Sequence, residues 1–538
     1  MRILLALLPL AAAPLSVVAD SSASSPGEGI YRRGLLPSGR PLRGERASAT
    51  AVEGPLAACV NCHRRSGLGA SEGRILIPPI TARYLFGVRA RNAGEPGMPG
   101  METPGLERPR FTEATLARAI REGVGSDGRR FDELMPHYAL DDSSMAVLIA
   151  YLRQLSSDRV PGVSDERIEF ATIITPDSDP IQRKGMLEVL DTFFANKNVF
   201  FREKSPPLQS SHNIHYRIVR KWKLHVWQLA GSPESWEQQL HQRLRAEPVF
   251  AVISGLGGKT WAPVHRFCEA ESLPCLFPNV DLPVVAEDDF YPVYFSKGVL
   301  LEAQLLAGRL AQKARAAGLH HVVQVYRSGD IGAAAAHELR AGLAAQGIEI
   351  VDRPLAAAAK SQTLSEAVNN VQASDALILW MRPKDLQALP PSPPPGALVF
   401  ASGLMGGLER APLPTNWRAS TDVTYPFDLP DDRRLRMDFP LRWFKIRQIE
   451  MVDERVQTDT FVACGILAEV LAPMLDNFVR DHLLERLETM LSARTRNGYY
   501  PRLGLGPGQR FASKGGYLVH FADVQGPKVV ADGEWIVP

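Results

Sequence analysis

The chain has 538 residues, 45% of them hydrophobic and 22% charged, with 61 Lys plus Arg against 59 Asp plus Glu and a formal net charge of +2. That balance excludes a nucleic-acid binder, which carries a clustered basic face. Five cysteines in so long a chain exclude a disulfide-stapled miniature fold and leave large hydrophobic cores as the source of stability.

Residues 1–19 open with Arg2, run through the apolar Ile3-Leu4-Leu5-Ala6-Leu7-Leu8-Pro9-Leu10 and end at Val17-Val18-Ala19, the layout of a cleaved secretory signal. Pro9 and Pro14 interrupt the run and Asp20-Ser21-Ser22 follows it, so it does not read as a membrane span. The mature protein is expected to be periplasmic and not membrane-spanning, with residues 20–46 as an N-terminal extension.

Cys59-Val60-Asn61-Cys62-His63 is the attachment signature of a c-type haem. Two thiols at this spacing add to one porphyrin, and the adjacent His ligates the iron from below. Four methionines stand as distal candidates. Met145 recurs with Leu148, Ile149, Leu152 and Leu155 at helical spacing after the cap Asp141 and reads as core; Met98 and Met101 lie in a Gly/Pro-rich loop. Met135, before Pro136 and between a helix over Thr112–Glu122 and the terminal helix, is the chosen axial ligand. A zinc site lacks donors, since only His137 stands nearby and there is no second Cys pair.

With Asp127-Gly128-Arg129, Met135-Pro136, Tyr138 and the ending Ala150-Tyr151-Leu152-Arg153-Gln154-Leu155, residues 47–156 resemble a class I c-type cytochrome domain, small and all-α. The resemblance implies covalent haem c on Cys59 and Cys62, iron between His63 and Met135, a Pro78-Pro79 loop whose carbonyl orients the His63 ring, and a redox partner such as a periplasmic dehydrogenase or another cytochrome. No lysine occurs in 47–156, so a polybasic docking face is not predicted. Residues 157–165, polar with Pro161 and Gly162, read as a linker spanning roughly 18 Å if treated as a flexible coil.

From Ile168 on, short apolar strands alternate with amphipathic helices, the signature of α/β structure with parallel sheets. Strands are predicted at 170–174, 224–227, 249–253, 274–277, 321–325, 376–379 and 397–400, and helices at 180–196, 233–246, 259–272, 298–316 and 331–346. The length predicts two doubly wound lobes with a cleft. Gly257-Gly258-Lys259-Thr260 is no P-loop, because Ile253 stands where the leading glycine belongs. The amides there either receive an anionic ligand group or merely form a turn. Cys268 and Cys275 are a candidate export-compartment disulfide, and Cys464, in an apolar helical run, reads as a buried inert thiol. His212 and His215 lack partners for a metal site and read as a solvated loop.

The order of these elements, with Ser254-Gly255, Leu276-Phe277-Pro278-Asn279 and Leu503-Gly504-Leu505-Gly506-Pro507-Gly508-Gln509-Arg510-Phe511, resembles type I periplasmic ligand-binding proteins of branched-chain amino-acid ABC transporters over most of 166–525, within an expected domain 166–538. The resemblance implies a small polar ligand held near Gly257, Gly258, Thr260, Asp281, Ser328, Asp330 and Arg382. The loop Ala401-Ser402-Gly403-Leu404-Met405-Gly406 offers no acid for a ligand amine. No nucleophile with a local base and no paired-carboxylate motif appears, so nothing favours an enzyme. The sequence reading is electron transfer through a covalent haem fused to a ligand- or partner-binding module; its alternative is a ligand sensor or ABC-type solute-binding protein whose lobe closure modulates the haem.

Overall fold

The computed structural model describes residues 25–46, 50–72, 75–87, 109–131, 133–157, 159–199, 220–317, 319, 321–358, 361–474, 477–491 and 498–538. The expected signal segment, Met98, Met101, His212 and His215 lie outside them. The chain divides into two compact units, the first ending at Asp158 and the second running from Arg159 to Pro538.

In the first unit, the helix Glu113–Glu122 starts where Thr112 and Thr115 cap each other, and the helix Asp142–Gln154 starts at Asp141, whose Oδ1 accepts the Ser144 amide at 2.7 Å. Both caps are written in the sequence. Met145 is buried in the core, as its spacing predicts. The expected all-α architecture needs correction. Strand β1 (Arg43–Glu45) pairs antiparallel with β2 (Ala51–Glu53) and with β5 (His137–Tyr138), and β3 (Ala70–Glu72) pairs with β4 (Ile75–Ile77). Strands of two or three residues carry too little alternation to be seen as a period.

The expected extension 20–46 also differs from Ser25 onward. Helical turns over Pro26–Glu28 and Gly29–Arg33 bury Ile30 and Tyr31 completely in the unit's core. Gly27 permits the contact, since a Cβ there would lie 2.5 Å from Val147 O and 2.6 Å from Tyr151 Cβ on the helix Asp142–Gln154. Tyr31 then donates its hydroxyl to Arg64 O at 2.7 Å.

The second unit is built on two sheets. In the first lobe, β6 (Arg167–Ile174), β7 (Lys221–Gln228), β8 (Ala251–Ile253), β9 (Cys275–Leu276) and β10 (Pro292–Val293) form an all-parallel sheet of order β10-β9-β8-β6-β7. In the second, β11 (His321–Arg327), β12 (Glu349–Leu355), β13 (Ala376–Trp380), β14 (Leu398–Ser402) and β15 (Thr421–Tyr425) are parallel, and β16 (Tyr517–Phe521) and β17 (Val529–Ala531) extend the edge antiparallel. The fully buried runs of β8 and β13 fit parallel strands covered by helices on both faces.

The chain crosses between lobes three times, from β10 to β11, from β15 to the helices Pro430–Ile446 and Glu454–Leu471, and from the helix Arg480–Leu491 back to β16. Those helices belong with the first lobe: Phe444 and Phe461 share a cluster with Val189 of the helix Pro180–Val199. The second-unit part of the expected linker is held in place, with Val163 bridging Ile168 and the Glu169 amide donating to Gly162 O at 2.8 Å.

Candidate functional site

In the first unit, Cys59 precedes the short helix Val60–His63 and, like Cys62, is partly exposed. Burial of its sulfur pushes the Cys59 thiol up to about 12. His63 is buried, and burial pulls its pKa down to about 4 against the opposing pull of Pro78. Its Nδ1 lies 3.0 Å from Pro78 O, the contact expected from the sequence; a carbonyl only accepts, so Nδ1 carries the proton and Nε2 the lone pair. Met135 is half-buried, packed against the core of this unit.

In the second unit the loops that leave the carboxyl ends of both parallel sheets converge on one cleft, the place where such sheets bind ligands. On the first lobe, Arg455 donates from Nη2 to Asp281 at 3.1 Å. On the second, Arg382 grips Asp330 with Nε at 3.0 Å and Nη2 at 2.9 Å. The two sets sense each other. Burial lowers the Arg382 pKa, but the bonds and charge of Asp330, joined by Asp281, outweigh it and leave the group raised, while Arg455 opposes them. Burial raises Asp330, yet Arg382, the Ile331 amide and Lys259 of the first lobe hold it below the usual carboxylate range.

A pocket of about 240 Å³, counting the part open to solvent, lies where the first lobe meets the crossing segments. Pro278, Asn279, Tyr294, Phe295, Arg455, Asp459 and Tyr500 are among its walls. Phe277 stacks on Phe295 at 4.6 Å and Phe295 on Tyr500 at 5.2 Å between ring centroids. Ser254 and Phe277, just past β8 and β9, hold φ of 48° and 54°. Left-handed backbone at non-glycine residues costs free energy of order 1 kcal/mol each and clusters at ligand sites.

The sequence candidates divide. Asp281, Asp330 and Arg382 come together as described, and Ser328 is exposed beside Asp330. The glycine loop does not present free amides: Gly257 N donates to Asn279 O at 3.2 Å, Gly258 N to Thr175 Oγ1 at 3.0 Å and Lys259 N to Asp177 Oδ2 at 2.8 Å. Thr260 Oγ1 accepts the Ala262 amide at 3.2 Å and serves the following helix. The loop is a strand-to-helix turn, and Gly258 is required because a Cβ there would lie 2.4 Å from the Asp177 carboxyl carbon.

Arg455, Asp459, Asn279 and Tyr500 were not among the sequence candidates. A signal existed for two of them, since Arg455 and Asp459 are opposite charges four apart just before the apolar run Phe461–Leu467 of the helix Glu454–Leu471. The acid missing from the Ala401–Gly406 loop also exists, supplied from elsewhere. Glu302, wholly buried, accepts from Ser402 Oγ, from Leu404 N at 3.0 Å and from Thr424 Oγ1 at 2.8 Å. Burial lifts its pKa to about 7 against those bonds.

Two parallel-sheet lobes, three crossings and one shared cleft decide the architecture. The second unit is a two-lobed α/β structure built on two mainly parallel sheets. No family model and no curated protein matches the chain. Among solved structures, a fatty acid ABC transporter substrate-binding protein from Thermomonospora curvata is 14% identical with a TM-score of 0.49, over 71% of this chain and 95% of that one. A leucine-binding protein from Thermotoga maritima is 11% identical with a TM-score of 0.47, over 69% and 99%. A branched-chain amino-acid ABC transporter protein from Thermus thermophilus with bound valine is 10% identical with a TM-score of 0.49, over 70% and 98%.

The covalent haem c expected on Cys59, Cys62, His63 and Met135 is corrected here. Among the described residues no group of three or more His, Cys, Asp or Glu is placed to hold a metal ion. The electron-transfer role and the redox partner expected with the haem gain no support. No helix of the described residues is long and apolar enough to cross a membrane.

Proposed function

We propose that the second unit is a solute-binding module of an exported, periplasmic protein, which closes its two lobes on a small polar ligand and presents it to an ABC-type membrane transporter. The observation that carries this reading is the charge set shared across the cleft, Asp281 with Arg455 facing Asp330 with Arg382. Charged pairs on the two lobes that influence one another across the cleft couple the lobes, so that a ligand held between them favours the closed form. The cleft is read as a binding site, not an active site. Residues 47–156 and 166–538 are proposed as its two functional modules, joined through 157–165.

A thermal-shift screen of the full chain against small polar metabolites tests the reading. At least one is expected to raise the melting temperature at micromolar concentration, with the effect lost in Arg382→Ala. A screen without a response at millimolar concentration would sink it.

Export also bears on Cys268 and Cys275. Both are buried thiols in this structure, and Cys275 lies close enough to add to the burial that raises the Cys268 thiol. We propose that they are oxidised to a disulfide in the periplasm, which fastens the helix Ala262–Ala270 to β9 and adds about 2 kcal/mol. Peptide mapping of protein isolated from that compartment is expected to find both resistant to alkylation until reductant is added. Alkylation of either beforehand would remove the pairing.

A further inference from the structure

We propose that the pocket beside the lobe crossings takes a small protonated amine, with Asp459 as its counter-ion and Asn279 Oδ1 as a second acceptor. The inference rests on the binding-protein reading above and names the ligand class of that site.

Asn279 is 6% exposed and its orientation is fixed by its neighbours. Thr460 Oγ1 spends its proton on Val456 O at 2.7 Å, and Ser254 Oγ spends its own on Thr460 Oγ1 at 2.9 Å. Each hydroxyl has one proton, so Asn279 must turn its NH₂ toward them, donating at 3.0 Å to Ser254 and 3.3 Å to Thr460. Its Oδ1 is left buried with no partner among the described residues. An acceptor left unmet in a pocket wall costs free energy that a donor on the ligand recovers.

Asp459 stands on the same wall, 2% exposed, and no hydrogen bond from a described residue reaches its carboxylate. The other charges nearby are already engaged. Arg455 holds Asp281, Arg382 holds Asp330, and Asp453 accepts from Val456 N and Gln182 Nε2, each at 2.9 Å. Among the mutually influencing groups, Arg382, Arg455 and Lys259 face Asp281, Asp330, Asp453, Asp459 and the buried Glu302, so carboxyl groups outnumber the cations. An anionic ligand would have to displace Asp281 from Arg455, whereas an ammonium finds Asp459 waiting. The rings of Tyr294, Phe295 and Tyr500 complete the wall.

The test uses the full chain and three probes of nearly equal size at pH 8: ethanolamine as cation, ethylene glycol as neutral molecule and glycolate as anion. Calorimetry is expected to show ethanolamine binding about tenfold or more tightly than either of the others. Asp459→Asn, which keeps the volume, is expected to weaken ethanolamine by about tenfold or more while its own thermal transition stays cooperative. Glycolate or ethylene glycol binding as well as ethanolamine, or unchanged ethanolamine affinity in the variant, overturns the charge class and leaves the binding-protein reading standing. Silence from these probes together with the wider metabolite panel overturns both. The probe series on the unsubstituted protein decides the matter even where the variant folds poorly.

Discussion

Arg510→Met is expected to destabilise the second unit by about 3–5 kcal/mol, measured by urea unfolding, because it leaves a carboxylate buried without its cation. Arg510 and Glu488 are ion-paired with side chains only 5% exposed each. Arg510 also donates from Nη1 to Phe290 O at 2.8 Å and lies over the Phe290 ring, 4.9 Å from its centroid. Its backbone carbonyl accepts the Tyr294 amide at 2.8 Å, so the pair sits where the last crossing lies against the first. Taking two charges from water is costly, and the attraction in a low-dielectric interior returns that cost only while both partners are present. The double variant Arg510→Met, Glu488→Leu should therefore recover most of the loss. A single-variant loss below about 1 kcal/mol, the size of an exposed pair, would show that water reaches the site.

The second large effect is a gain, and it depends on pH. Burial raises the Asp459 carboxyl to about 7, with Asp453 and Asp281 adding to the shift and Arg455 opposing it; Tyr500 is the other titratable group that feels this charge. The folded pKa lies above the ordinary carboxyl value near 3.8, so the folded protein holds this proton more tightly than the unfolded chain. The stability it contributes is complete below about pH 4 and is lost as pH rises through about 7. Asp459→Asn has no proton to lose. Relative to the parent it is expected to be unchanged near pH 4 and more stable at pH 8, by on the order of 2–4 kcal/mol. Glu302 titrates in the same range in both proteins and cancels from the difference. Chemical denaturation at the two pH values checks this, and a variant less stable than the parent at pH 8 would contradict it. An unsubstituted protein that retains such a charge keeps it at a cost to stability, which is the expected mark of a ligand contact.

Much of the second unit was legible in the sequence. Runs such as Phe170–Ile174 and Ala376–Leu379 are apolar on both faces, as buried parallel strands must be, and they fall inside β6 and β13. Helices 298–316 and 331–346 were placed to within a few residues because their apolar positions recur at the helical period. Cys464 lies buried in the helix Glu454–Leu471, as its apolar setting required, and burial raises its thiol pKa. The first unit was legible in its caps and less so in its limits: Gly27 and Tyr31 have no periodic neighbours to announce a core, and only their contact with Val147 and Tyr151 makes one.

The candidate site was half legible. Asp281, Asp330 and Arg382 were singled out because loops after parallel strands converge, but a sequence does not say which loop amides are already bonded, and Thr175 and Asp177 had taken those of Gly258 and Lys259. Arg455 and Asp459 lie more than 170 residues after Asp281. The sequence by itself determined the α/β class of the larger module and most of its strands, because hydrophobic period and capping chemistry act over a few residues. Only the tertiary structure decided which charges face the cleft and which are spent, because burial and pairing depend on segments that the chain brings together from opposite ends of the fold.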